Sequence, residues 1–147
     1  MGRDRVERNE VRPVAQSIGT GAAVRRPGRG IGVVMAVTAV TFGVASMVHF
    51  GVAVPLGVLT VHDPFPGAKF PEMIIGLVLL AGAVPVLARA RFARVIGLVA
   101  TGFATAGTLV GLRFTLPAGM AGEIAYHFGV LTLLVVTLVL LGVRRAG

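Results

Sequence analysis

The sequence predicts an all-α integral membrane protein whose four transmembrane helices form an up-down-up-down bundle with both termini in the cytoplasm. Three observations lead to this prediction: four long apolar runs, few charged residues, and an unequal distribution of basic residues around the runs. Hydrophobic residues make up 55% of the 147 residues and charged residues 14%, whereas about a quarter of a soluble domain is charged. The mean hydropathy of +0.88 agrees with a chain surrounded by lipid.

Each apolar run is long enough to cross a bilayer, because about 20 helical residues cover roughly 30 Å of hydrocarbon. The predicted spans cover residues 31–54, 71–88, 92–112 and 121–143. Pro55 ends the first span, while Pro71 and Glu72 suit the first turn of the second, where a carboxylate complements the helix dipole. Helices are predicted rather than strands because an open sheet would leave unpaired backbone groups in lipid.

The basic residues set the predicted orientation. Residues 1–30 form a basic tail that should be mostly disordered, since arginine, glycine and proline are frequent and apolar periodicity is absent. Twelve of the 14 basic residues lie in this tail, between spans two and three, or at the cytoplasmic end 144–147; only Lys69 and Arg113 flank the other side. Positive residues favour the cytoplasmic side. This topology also explains the net charge of +8, so nucleic-acid binding is not predicted.

One stripe of small residues follows the third span in steps of four and three. It consists of Gly97, Thr101, Ala104, Thr108 and Gly111. Residues at this spacing share one helix face, and small side chains let helix backbones approach closely in lipid. The face is therefore predicted to pack against another span of the chain, with a membrane-protein partner or a second copy in a homodimer as the alternative.

Four ionisable residues are predicted to gather near the outer ends of the spans. His49 and His127 each lie about 7.5 Å inside the predicted outer end of their span, on helices that are neighbours in an up-down-up-down bundle. Glu123 lies one turn outward from His127, and Glu72 starts the second span. Imidazoles and carboxylates are ligands for transition metals, so His49, His127, Glu123 and Glu72 are candidate metal ligands.

Other interpretations of this cluster stay open at the sequence level. Two histidines at equal depth could ligate a haem axially, and a histidine beside a carboxylate can exchange protons near neutral pH. The same four residues could instead form a structural hydrogen-bonded network, as buried ionisable groups in membranes often do. The absence of cysteine excludes thiolate nucleophiles and thiolate-ligated metal centres.

The pattern favours a non-enzymatic membrane protein, either an accessory subunit or a small binding protein. A metal- or haem-binding protein that uses His49 and His127 is the first alternative. A small-solute or proton-coupled transporter is the second, although the central thirds of the four spans contain no ionisable residue. Transporters of this kind need a charged group near the middle of the bilayer.

Three sequence motifs carry a family resemblance. They are Val48-His49-Phe50-Gly51 leading to Pro55-Leu56-Gly57, then Phe70-Pro71-Glu72, and finally Ala125-Tyr126-His127. With these motifs, residues 31–143 resemble a group of small four-span membrane proteins from high-GC, actinobacteria-like genomes. The chain is also similar, in span number and size only, to DoxX-like four-helix membrane proteins. Both resemblances imply a four-helix architecture and carry no activity or catalytic residue.

Overall fold

The computed structural model describes residues 27–56, 59–61 and 67–143. These residues form four helices, α1 (Arg29–His49), α2 (Lys69–Leu87), α3 (Ala93–Ala118) and α4 (Ala121–Gly142), with a short hairpin of β1 (Val54–Leu56) and β2 (Leu59–Val61) between α1 and α2. All four helices are long and apolar enough to cross a membrane, which agrees with the predicted helical membrane protein. Most of the predicted tail 1–30, and the end 144–147, lie outside the described residues.

The helix ends differ from the predicted spans because hydropathy does not mark where a helix stops. α1 ends at His49 instead of continuing to residue 54, and Gly51 adopts a left-handed conformation with φ +91° as the chain turns toward β1. α3 continues six residues beyond the predicted limit of 112, through Pro117, and ends where Gly119 adopts φ +66°. Such a left-handed glycine is a common helix terminator. The hairpin was not predicted.

The helices pack in chain order around one core. α1 contacts α2, α2 contacts α3, α3 contacts α4, and a sparser contact between α4 and α1 completes the ring. The largest fully buried side chains are Phe42, Met35, Leu79 and Leu134. Many valines and leucines point away from the core on every helix, as expected for surfaces that face lipid rather than water.

The predicted small-residue face of α3 lies inside this bundle. Thr101, Ala104 and Thr108 are at most 1% exposed. At Gly97, a β-carbon would lie 3.0 Å from a methyl group of Val86 in α2. These residues therefore pack against other helices of the chain, while a membrane-protein partner or homodimer through this face stays a prediction.

Arg94, at the start of α3, caps the C-terminal end of α4. Its Nε donates a hydrogen bond of 2.7 Å to the carbonyl of Leu141, and a terminal guanidinium nitrogen donates to the carbonyl of Gly142. The last carbonyls of a helix have no partner within the helix and carry partial negative charge. One cation therefore ties the final turn of α4 to α3.

We expect Arg94→Met to lower the free energy of unfolding by about 1–3 kcal/mol, because it removes charge-assisted hydrogen bonds to two helix carbonyls. Equilibrium unfolding in mixed micelles, followed by circular dichroism, measures the change. Arg113→Met is the matched control, since this exposed arginine lies on the same helix away from the end of α4. Equal losses in the two variants would contradict the capping role.

Candidate metal centre

Three helix ends meet at the candidate site and bring one ionisable side chain each. His49 is the last residue of α1, Glu72 lies in the first turn of α2, and Glu123 lies in the first turn of α4. His49 Nε2 is 3.4 Å from Glu72 Oε2 and 3.7 Å from Glu123 Oε1. One nitrogen or oxygen from each of the three residues lies within 4.8 Å of the other two. We call these residues the His49–Glu72–Glu123 cluster.

A serine that the sequence analysis did not single out helps to position the cluster. The hydroxyl of Ser46, one turn before His49, donates a hydrogen bond of 2.7 Å to the carbonyl of Lys69. Lys69 is the first residue of α2, so this bond joins the end of α1 to the beginning of α2. It holds Glu72 opposite His49. In the sequence, the only sign of this role was a serine within an apolar run, three residues before a histidine.

Glu72 is the most unusual member of the cluster. Its side chain is only 6% exposed, and neither carboxylate oxygen has a hydrogen-bond partner in the described part of the chain. A buried carboxylate without hydrogen bonds is costly, and proteins usually pair such a group or use it to bind a metal. The contact of 3.4 Å to His49 is longer than the 2.7–2.9 Å of a good charge-assisted hydrogen bond, and it does not replace one. Glu72 therefore has unused capacity to bind a cation.

Glu123 forms the more accessible side of the cluster. Its side chain is 20% exposed, compared with 1% for the side chain of His49. Its second carboxylate oxygen lies 3.9 Å from Nδ1 of His127, one turn further along α4. Any ion that reaches the cluster from outside the bundle would meet Glu123 first.

His127, the fourth predicted ligand, lies outside the three-residue cluster. Its Nδ1 donates a hydrogen bond of 2.7 Å to the backbone carbonyl of Glu123, which places the proton of the neutral ring on Nδ1. Its Nε2 lies against Gly111 of α3, where a β-carbon would be only 2.4 Å away. The imidazole is therefore directed at α3, and the small-residue face provides the space for it.

The cluster fits a divalent cation by distance and by charge. Zinc–nitrogen and zinc–oxygen bonds of about 2.0–2.2 Å place tetrahedral ligands roughly 3.3–3.6 Å apart, close to the two His–Glu separations of 3.4 and 3.7 Å. All three ligand atoms lie within 4.8 Å of one another. Two carboxylates also balance the charge of a divalent ion, which matters because an uncompensated charge is expensive away from water. Three protein ligands leave one tetrahedral position for water or another ligand.

Tyr126 of α4 is half-buried beside the cluster. Its ring makes edge-to-face contacts with Phe42 at 6.2 Å and with His127 at 5.5 Å between centroids. Its hydroxyl is buried and has no hydrogen-bond partner among the described residues. One side of the aromatic ring therefore packs against the bundle beside the cluster.

Comparison with known proteins provides no functional assignment for this site. No family model matches the chain, and no curated protein or solved structure is significantly similar to it. The resemblances to small actinobacterial four-span proteins and to DoxX-like proteins thus stay predictions. We therefore infer a function from the geometry of the cluster.

Proposed function

We propose that the protein is a non-enzymatic, metal-binding membrane protein that holds one divalent transition-metal ion between His49, Glu72 and Glu123. The observation that carries this proposal is the approach of three ligand atoms, from three different helices, to within 4.8 Å of one another. The buried and unsatisfied carboxylate of Glu72 supports it independently. His127 orients the turn of α4 that contains Glu123 and is not a ligand in this proposal.

The donor set favours zinc and its neighbours in the first transition row. Imidazole suits Zn²⁺, Cu²⁺, Ni²⁺ and Fe²⁺, whereas sites for Mg²⁺ and Ca²⁺ use oxygen ligands almost alone. A bound ion would connect the ends of α1, α2 and α4. Metal binding and assembly of the bundle would then stabilise each other, because the complete ligand set exists only in the folded chain.

We also propose an up-down-up-down topology in the cell membrane with both termini in the cytoplasm. The positive-inside rule supports this orientation, since Arg89, Arg91 and Arg94 flank the connection between α2 and α3 while only Lys69 and Arg113 flank the opposite side. The cluster lies at the His49 end of α1 and the Lys69 end of α2. In this orientation the metal centre faces the outside of the cell.

Cobalt titration tests the proposed metal site. We expect the purified, metal-stripped protein to bind about one Co²⁺ per chain and to develop the visible absorption bands of four-coordinate cobalt, because three ligands and one water complete a tetrahedron. His49→Gln or Glu72→Gln should weaken Co²⁺ binding at least about 100-fold, which exceeds the usual effect of losing a residue that only supports a ligand. Zn²⁺ should displace Co²⁺ and remove the bands.

His127→Gln is the matched control for His49→Gln, since both histidines are buried but only His49 belongs to the cluster. The control should retain the cobalt bands, and its affinity should fall by less than the roughly 100-fold expected for His49→Gln, because His127 supports Glu123 without being a ligand. Absence of cobalt bands in the folded, unsubstituted protein would contradict the proposal. The cluster would then act only as a link between helices, and the His49 and Glu72 variants would change thermal stability alone.

A further inference from the structure

A groove between α1 and α4 leads from the lipid-facing side of the bundle to the cluster. Its volume is about 740 Å³, and it is partly open to the surroundings. Val40, Val44 and Val48 line one wall and Gly122 and Tyr126 line the other, with His49 and Glu123 at the polar end. The groove exists because the contact between α1 and α4 is the sparsest one in the ring.

Its size and lining are those of a small-molecule site. Ligand pockets typically have volumes of about 300–1,000 Å³ and combine mainly apolar walls with a few polar groups that orient the ligand. Here the walls are mostly valine, alanine, methionine and tyrosine side chains, and the polar groups are concentrated at one end. An occupant should therefore have an apolar body and one polar group.

The charge at the polar end indicates the sign of that polar group. Of the two acidic residues in the cluster, Glu123 is the one that lines the groove, next to His49. Its carboxylate supplies the negative charge that an occupant of the groove meets. A cationic group is attracted to this end, whereas an anionic group is repelled.

We infer that the groove binds lipophilic cations, meaning amphiphilic amines or quaternary onium ions, with the positive charge beside Glu123 and the apolar body between α1 and α4. This activity goes beyond metal binding and requires the cluster to be metal-free. A neutral lipid chain would leave the acidic end uncompensated. A second copy of the chain would cover Glu123 with valine- and leucine-rich helix faces, which is costly for a charged group.

A pair of isosteric ions of opposite charge provides the test. The sample is metal-stripped protein in nanodiscs of uncharged lipid, and binding is measured by equilibrium dialysis with the signal of empty nanodiscs subtracted. We expect it to bind one tetraphenylphosphonium ion per chain and to show no saturable binding of tetraphenylborate. Glu123→Gln should weaken phosphonium binding at least about tenfold, because it removes the carboxylate at the open side. Zn²⁺ should compete with the phosphonium ion for Glu123.

Two glycines of α4 provide a matched pair of groove variants. Both Gly122 and Gly129 are exposed, and a β-carbon at either would meet nothing within 4 Å, but only Gly122 lines the groove. Gly122→Leu should reduce phosphonium binding at least about tenfold by filling the groove, and Gly129→Leu should leave it unchanged.

Each of these binding results would overturn the inference: no saturable phosphonium binding, equal binding of both ions, or equal effects of the two glycine variants. A dimer that Gly122→Leu dissociates would assign the groove to a second copy and would also overturn it. Cobalt binding is measured separately, so failure of phosphonium binding leaves the metal proposal intact. Failure of cobalt binding alone likewise leaves this inference intact.

Discussion

Phe42→Ala should lower the free energy of unfolding by about 3–5 kcal/mol, the usual cost of truncating a large aromatic side chain in a packed core. Phe42 is only 1% exposed and contacts the ring of Tyr126, so its removal leaves a cavity between α1 and α4. The contact between α1 and α4 is the sparsest of the four contacts between helices that neighbour each other around the ring. Unfolding in mixed micelles, followed by circular dichroism, measures the loss.

Phe103→Ala provides the comparison for this prediction. Phe103 lies on α3 and is 46% exposed, so the same truncation there removes contact with lipid instead of opening a buried cavity. We expect a loss below about 1 kcal/mol, as for most substitutions at exposed positions. The cobalt and phosphonium measurements on Phe42→Ala would show whether the aromatic contact also positions α4, and hence Glu123. Similar losses for the two phenylalanines would be inconsistent with the described core.

Gly82→Ala should destabilise the bundle by about 1–3 kcal/mol, although alanine favours a helix more than glycine does. A β-carbon at Gly82 would lie 2.3 Å from the β-carbon of Ala100, so α2 and α3 would have to separate. The direction of the change in stability, a loss and not a gain, is what the experiment tests. The close approach outweighs the gain in helix propensity, which is about 0.8–1.0 kcal/mol for this substitution.

Gly102→Ala is the control, since a β-carbon at that position in α3 meets nothing within 4 Å. We expect this variant to be unchanged or more stable by up to about 1 kcal/mol, because only the propensity contributes. Opposite signs for the two glycine variants would show that close helix packing at Gly82, and not general flexibility of glycine, is responsible. A stabilising effect at Gly82 would contradict the packing of α2 against α3.

The cluster can stabilise the bundle with or without a metal ion, and the two cases differ physically. Without a metal, the side chains of Glu72 and Glu123 both lie near the single imidazole of His49, and neither oxygen of Glu72 has a hydrogen bond to any residue that the structure describes. With a divalent ion, the same ligand atoms surround a compensating charge. Excess Zn²⁺ should therefore raise the unfolding temperature, since a ligand that binds only the folded state stabilises it by mass action.

The sequence alone predicted the four helices and the residues from which the site is built. Long apolar runs require helices in lipid, because a helix satisfies its backbone hydrogen bonds within one segment. Ionisable residues are so rare in these runs that His49, Glu72, Glu123 and His127 could be identified without a structure. The small-residue stripe of α3 was likewise readable from its spacing, and its residues are buried as a set except for the half-buried Gly111.

The tertiary structure decided which of these residues meet. Sequence spacing gives the position of a residue along a helix, but the direction of its side chain across the bundle depends on how the neighbouring helices pack. Gly111 makes room for the ring of His127, whose Nε2 is directed at α3. Nδ1 of His127 bonds to the backbone carbonyl of Glu123, so this histidine does not join the group of His49, Glu72 and Glu123. α1 also ends at His49, five residues before the predicted end of its span, which brings His49 to the level of the first turns of α2 and α4. The residues of the candidate site were thus determined by composition, and their grouping by helix ends and helix packing that no local sequence pattern encodes.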